Sequence, residues 1–365
     1  MKKDIKFMKI TKKLLKQLPK TDLHVHLDGS MRINTILELA EKWKIDLPST
    51  DPEKLRKKII GEKANDLGEY LEGFDITLKV LQNEEGLRRG AYELAEDAAE
   101  ENIRYTEIRF CPLLHTEEGL SLTTVSNAVL DGLAQAEKDF GIRTGVIFSG
   151  MRNMSPEISL RLASLATTYK NKGVVGFDLA GQEYNFPAKE HRTAFDLALK
   201  NNLNITIHAG EAYGSESIHQ AIHYCGAHRI GHGTRLIEDG DLLNYVNDHR
   251  IPIEICLKSN IDTHTVSSYK EHPFPIFYDL GLRVTLNTDN RLVSNTNMTE
   301  EFMTAHKEFN FDYKKIKNLI INGFKSSFLP YRDKSLILSK ILDEIEEIEK
   351  EYKSSNEKID YEDKL

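Results

Sequence analysis

The sequence predicts an α/β fold, a closed (β/α)8 (TIM) barrel with extra helices after the first strand and at the C-terminal end. Three observations carry that prediction. Eight short apolar runs rich in β-branched residues recur along the 365 residues, longer amphipathic stretches alternate with them, and no GxGxxG turn follows the first run. Near-continuous apolar strands separated by helix-length spacers imply a parallel sheet covered on its outer face. An open doubly wound sheet of this kind would usually carry the Gly-rich turn after its first strand.

Taken in order, the runs are TDLHVHL (21–27), RYTEIRF (104–110), TGVIFSG (144–150), VVGFDLAG (174–181), NITIHAGE (204–211), RIGHGT (229–234), IPIEICLKSN (251–260) and RVTLNTDN (283–290). The spacer TTVSNAVLDGLAQAEKDFG (123–141) repeats apolar residues at helical period. The interval between the first two runs is long and holds additional helices such as INTILELAEKW (33–43). Helices ending in LDEIEEIEKEYK close the chain, followed by a charged tail at 353–365 that is expected to fray. No Gly-, Pro- or Ser-rich linker divides the sequence, so one domain over 1–352 is the expected organisation.

Composition narrows the function classes. About 40% apolar and 29% charged residues suit a globular chain with a large core, and the net charge of −8 argues against a nucleic-acid partner. Residues 1–20 hold eight lysines against one acid, Asp4. That arm reads as a basic amphipathic helix or a solvated extension, and it has no apolar core of the kind a secretory signal needs. No run approaches the ~20 apolar residues of a membrane helix. Cys111, Cys225 and Cys256 are few and far apart, with no CxxC spacing. A reduced, cytoplasmic protein without a membrane or protein partner is the expectation.

The polar residues fall where a barrel keeps its chemistry, at the C-terminal ends of the strands. The first run ends with His24, His26 and Asp28, the fourth ends DLAGQE, the fifth carries His208 and Glu211, the sixth His232, and the eighth Asp289 and Asn290. Runs two and three show no such cluster. His24 and His26, two apart in a strand, share one face. A single strand-end histidine or aspartate commonly serves structure alone, but convergence from several strands points to one divalent metal held by imidazoles and a carboxylate. Zinc fits that donor set best. His24, His26, His208 and Asp289 would be its ligands, leaving Glu211 and His232 for acid–base work on an activated water.

The motifs DLHVHLDGS, GFDLAGQE, ITIHAGE, RIGHGT and TLNTDN, in this order, resemble those of the adenosine deaminase family within the amidohydrolase superfamily, and NGFKSSFLP (322–330) resembles its segment after the eighth strand. The similarity runs from about residue 18 to residue 330. It implies an enzyme with one Zn2+ per chain that hydrolyses the 6-amino group of a small purine nucleoside, adenosine, to give inosine and ammonia. On this likeness His24, His26, His208 and Asp289 bind zinc. His232 accepts a proton from the metal-activated water and orients it, and a protonated Glu211 gives its proton to purine N1. The Gly181 backbone N–H reaches N3, and Asp28 meets the ribose 5′-hydroxyl.

Where the family pattern has two aspartates after the eighth strand, this chain has Asp289–Asn290. The second position is expected to donate to purine N7, and an amide always carries donors. LGEYLEGFDITLKVL (67–81) resembles the family's helix over the ribose, with Leu67, Tyr70, Leu71 and Phe74 on one amphipathic face. Relatives act on adenine, N6-modified AMP or 6-aminodeoxyfutalosine, and these stay open as substrates, as does a barrel that binds without turnover. A binuclear centre would want a lysine at the end of strand four, and GFDLAG offers none.

Overall fold

The computed structural model describes residues 8–60, 70 and 73–362, with side chains through residue 352. Eight strands form one parallel sheet in sequential order: β1 (Lys20–His26), β2 (Ile103–Phe110), β3 (Arg143–Met151), β4 (Val174–Ala180), β5 (Asn204–Ala209), β6 (Arg229–His232), β7 (Ile253–Ile255) and β8 (Val284–Leu286). The seam between β1 and β8 is completed by an isolated parallel bridge between Val25 and Asp289. There the His26 N–H donates to the Asp289 carbonyl at 2.7 Å and the Asp289 N–H to the His24 carbonyl at 2.8 Å. Residues of the first and last strands that carry chemistry are thereby locked side by side by backbone pairing.

Helices pack outside the sheet because each has one apolar stripe and polar ends that the sequence satisfies. In Leu122–Phe140 the Ser121 hydroxyl accepts from the Thr124 N–H, and Gly141 leaves the helix at φ +69, a conformation suited to glycine. The predicted helix 33–43 matches Ile33–Trp43. The long first crossover also contains Pro52–Ile59, Phe74–Val80 and Glu84–Glu100, and the C-terminal part adds Met298–Phe309, Tyr313–Ser326 and Tyr331–Glu362. The last helix continues to Glu362, beyond the expected boundary at 352.

In the lysine-rich start, Lys12–Gln17 is a short helix with Leu14 and Leu15 buried against the barrel. Lys20 is itself buried, its Nζ donating to the carbonyls of Leu15 (2.6 Å) and Leu18 (2.7 Å). This ties down the end of that helix. The three cysteines are buried and unpaired. Among the described residues no helix is long and apolar enough to cross a membrane.

Runs seven and eight end earlier as strands than the sequence suggests. Cys256 turns the chain into the helix Leu257–Asp262, and beyond Leu286 the last run keeps only the isolated bridge at Asp289. Both departures swing polar side chains over the barrel mouth.

Candidate metal centre and active site

At the C-terminal rim, side chains from β1, β5, β6 and the segment after β8 meet. One imidazole nitrogen from each of His24, His208 and His232 and a carboxylate oxygen of Asp289 all lie within 4.8 Å of one another. His26 joins them from the same strand as His24. Its Nε2 is 3.1 Å from His208 Nε2 and 3.4 Å from Asp289 Oδ1. The structure thus gathers every residue expected to bind the metal, and adds His232 to the tight group.

The backbone is bent to achieve this. His232 and Asp289 both have positive φ, 63° and 60°, a region that non-glycine residues rarely occupy. Such conformations concentrate where a side chain must be aimed at a site.

The ligand atoms are prepared from behind. His24 Nδ1 lies 2.9 Å from Glu254 Oε2, and His208 Nδ1 lies 3.1 Å from Asp178 Oδ1. An Nδ1–H held by a carboxylate leaves the Nε2 lone pair facing the site, the arrangement metal-ligating histidines use. The His24 Nε2 is buried and has no hydrogen-bond partner. Asp289 Oδ2 accepts from the Ser259 hydroxyl at 2.6 Å. Burial opposes charge on Asp289, but the surrounding histidines outweigh it and hold the carboxyl well below its ordinary range. Imidazole nitrogens, an ionised carboxylate and an orphaned buried nitrogen fit a borderline-soft divalent ion.

Across the mouth, Glu211 is buried, with Oε2 3.6 Å from His232 Nε2. Burial first, then the negative charges of Asp289 and Glu183, push its pKa well above the ordinary carboxylate range, which favours the protonated form. Glu183 also fixes where Glu211 sits. Its carboxylate accepts four successive backbone N–H groups, from Gly210 (2.7 Å), Glu211 (2.9 Å), Ala212 (2.6 Å) and Tyr213 (3.0 Å).

The pocket over the centre is lined by Asp28, Tyr70, Phe74, Gly181 and Asn290 together with His26, His208, Glu211, His232 and Asp289. Leu67 and Leu71 lie outside the described residues. Gly181, at φ +88, closes β4 with its backbone bare to the cavity. Asp28 Oδ1 is buried without a partner, and burial raises that carboxyl to about 7. The Asn290 Nδ2 donates to the Tyr70 hydroxyl at 3.0 Å, and that hydroxyl lies 2.6 Å from Ser294 Oγ. Asn290 Oδ1 sits so close over Gly29 that a Cβ there would be 1.9 Å away.

Sequence reasoning missed several supporting groups. β2, which seemed to carry no polar cluster, contributes Arg109, fully buried and bonded to Glu254 at 2.9 Å. Arg229 of β6 bridges Glu254 and Glu107. Arg152 donates to the carbonyls of Phe186 and His208, bracing the end of β5. A charged residue inside an apolar strand was the available signal for Arg109, Asp178, Arg229 and Glu254. Asn260 Nδ2, 3.0 Å from His232 Nδ1, was hidden inside a run read as strand.

Comparison with known proteins agrees with this geometry. The family model described as adenosine deaminase matches residues 19–344. The chain belongs to the adenosine deaminase family. It is 42% identical over 325 residues to the adenosine deaminase of Clostridium acetobutylicum, covering 89% of this chain and 97% of that one. Among solved structures in the same fold are the adenine deaminase of Arthrobacter aurescens (TM-score 0.85, 28% identity, 90% of this chain and 99% of that one) and the N6-mAMP deaminase of Arabidopsis (0.81, 28%, 91% and 99%). The barrel is therefore that of an adenosine deaminase family member.

Proposed function

We propose that the chain is a zinc-dependent hydrolase that deaminates adenosine, and 2′-deoxyadenosine with it, to the inosine nucleoside and ammonia. The observation that carries the reading is Glu211: a buried carboxyl 3.6 Å from His232, facing a histidine–aspartate group across one pocket. Metal binding or folding alone has no use for such a group.

His24, His26, His208 and Asp289 would hold the ion, with their Nδ1 and Oδ2 partners orienting them. When bound, zinc supplies a water acidified toward neutral pH and positioned for attack. The chain's own residues do the rest. Glu211 donates its proton to purine N1, which removes electron density from C6 and neutralises the charge that would build on the ring. His232, with Nε2 toward the pocket, orients the attacking oxygen. The Gly181 N–H, at the pocket wall, would reach N3. The second N–H of the Asn290 amide, whose first is taken by Tyr70, is available to N7.

Asp28 favours a nucleoside over the free base. A buried carboxyl oxygen without a partner costs free energy unless a ligand hydroxyl satisfies it. The 42% identity to an adenosine deaminase supports the same substrate.

The test is loss of the adenine absorbance with zinc-loaded protein on adenosine, 2′-deoxyadenosine, adenine, N6-methyl-AMP and 6-aminodeoxyfutalosine, run side by side. Turnover of the first two, abolished by a chelator and by Glu211→Gln, is expected. Turnover of another compound alone would keep the chemistry and move the substrate. No turnover of any, by metal-replete protein, would overturn the reading.

A further inference from the structure

Away from the barrel mouth, the helix Ser215–His223 that follows β5 carries another pair of histidines, His219 and His223. Four residues apart, they lie on one helix face, a turn from each other. Two imidazoles at this spacing on a helix can share one zinc ion. The rings have come together, with centroids 4.5 Å apart and planes inclined at 47°. His219 Nδ1 is buried and has no hydrogen-bond partner. A nitrogen in that state costs free energy unless a ligand takes its lone pair.

The surroundings suit a cation. Burial first, then the imidazoles of His219 and His249, lower the His223 pKa below its ordinary value. That favours the neutral ring, which is the form that binds a metal. Both histidines sit in the last turns of their helix, where its partial charge is negative. Glu216, three residues before His219, adds a carboxylate on the same stripe and accepts from the Gln220 amide at 3.1 Å. The His223 ring also packs against Tyr245 of the helix Gly240–Asp248, at a centroid distance of 4.7 Å, which restrains its rotamer. His249 is engaged otherwise: its ring stacks on Tyr245 at 3.9 Å, and its Nδ1 lies 2.9 Å from the Tyr245 carbonyl. His223 is exposed, so water has access to complete a coordination shell.

We propose that His219 and His223 form a second metal site, on the outside of the barrel, for one divalent transition-metal ion of the Cu2+, Ni2+ or Zn2+ class. Nitrogen donors select these ions over Mg2+ and Ca2+, which take oxygen ligands. With two protein ligands it binds more weakly than the four-ligand centre at the mouth. The site uses no residue of that centre, so it stands or falls apart from the deaminase reading.

Equilibrium dialysis of the untagged full chain against graded free zinc counts the sites. The native protein should take up one tight equivalent and then a second, weaker one. His219→Gln and His223→Gln should each keep the first and lose the second. In a histidine-labelled, zinc-loaded sample, further zinc should shift the 15N signals of His219 and His223, identified by their loss in the two variants. A single equivalent in the native protein would overturn the site. So would a second equivalent retained in both variants, because the ion would then lie elsewhere. Two equivalents in a protein that turns over no purine would uphold the site and count against the functional reading. One equivalent in an active deaminase would do the reverse.

Discussion

Replacing Glu183 by Gln changes one atom and tests how the acid Glu211 is held. The carboxylate accepts three backbone N–H groups at Oε2 and a fourth, from Gly210, at Oε1. A glutamine offers one acceptor. Placed at the Oε2 position it keeps three bonds without the charge, and its NH2 confronts the Gly210 N–H. Bonds to a charged group contribute about 1.5–3 kcal/mol against about 1 for neutral ones, and an unsatisfied buried N–H costs about 1–3 kcal/mol. The loss therefore comes to about 3 kcal/mol or more, which for a chain of this size lowers Tm by about 4 °C or more.

The same substitution has an electrical consequence of known sign. Burial is the larger cause of the raised Glu211 pKa, and Glu183 adds to it. Removing that charge lets the Glu211 pKa fall, so its proton is lost at lower pH. Because the reaction uses the protonated form, the alkaline limb of kcat/KM should move toward neutral pH. Differential scanning calorimetry and a pH–rate profile on adenosine measure the two effects separately. A Glu183→Gln enzyme with unchanged Tm and an unmoved alkaline limb would refute both the anchoring and the electrostatic argument.

Three further outcomes follow from other contacts. Asp178→Asn removes the charge behind His208 Nδ1, so zinc affinity measured against a competing chelator should fall about 10-fold or more, the usual cost of losing such a partner; unchanged affinity would show that Asp178 does not tune the ligand. Gly29→Ala puts a methyl group 1.9 Å from Asn290 Oδ1 and must displace that side chain, so kcat/KM for adenosine should drop about tenfold, on the scale of one lost hydrogen bond of about 1.4 kcal/mol, and a crystal structure should show Asn290 moved. Burial lowers the Lys20 pKa to about 7, so between that pH and about 10 the folded state binds fewer protons than the unfolded one and stability should rise with pH; urea titrations across that range should lose this component of the slope in Lys20→Met.

The eight strands were legible because a parallel sheet covered by helices needs apolar side chains on both faces, and few other structures produce such runs at helix-length intervals. Their ends were less so. LKSN at 257–260 continues an apolar run and reads as strand, yet it forms a helix whose first N–H groups are taken by Glu301: those of Leu257 at 2.9 Å and Lys258 at 3.3 Å. That bond spans more than forty residues, beyond the reach of a local pattern. The rim histidines and Asp289 could be found because metal ligands are rare side chains in strands. Asn260 could not, because it lies in that same helix, hidden inside a run that reads as strand. The positive φ of His232 and Asp289 was equally silent, since neither residue is a glycine that would announce it.

The charged layer beneath the centre shows why the acid must be neutral. Arg109 and Arg229 face Glu107, Asp178 and Glu254 in the barrel interior, two guanidiniums against three carboxylates. Buried ion pairs of this kind are weak evidence for stability, because desolvation offsets much of their attraction. Their use here is orientation: Glu254 and Asp178 hold His24 and His208, and the arginines keep those carboxylates ionised. One negative charge is left over in the layer, and Asp289 adds a second at the rim. Two negative charges match a divalent cation. An ionised Glu211 would place a third beside Asp289 in a site closed to water, where repulsion is poorly screened. Burial is the first cause of the raised Glu211 pKa and the charge of Asp289 the second, so metal binding and proton donation both draw on Asp289.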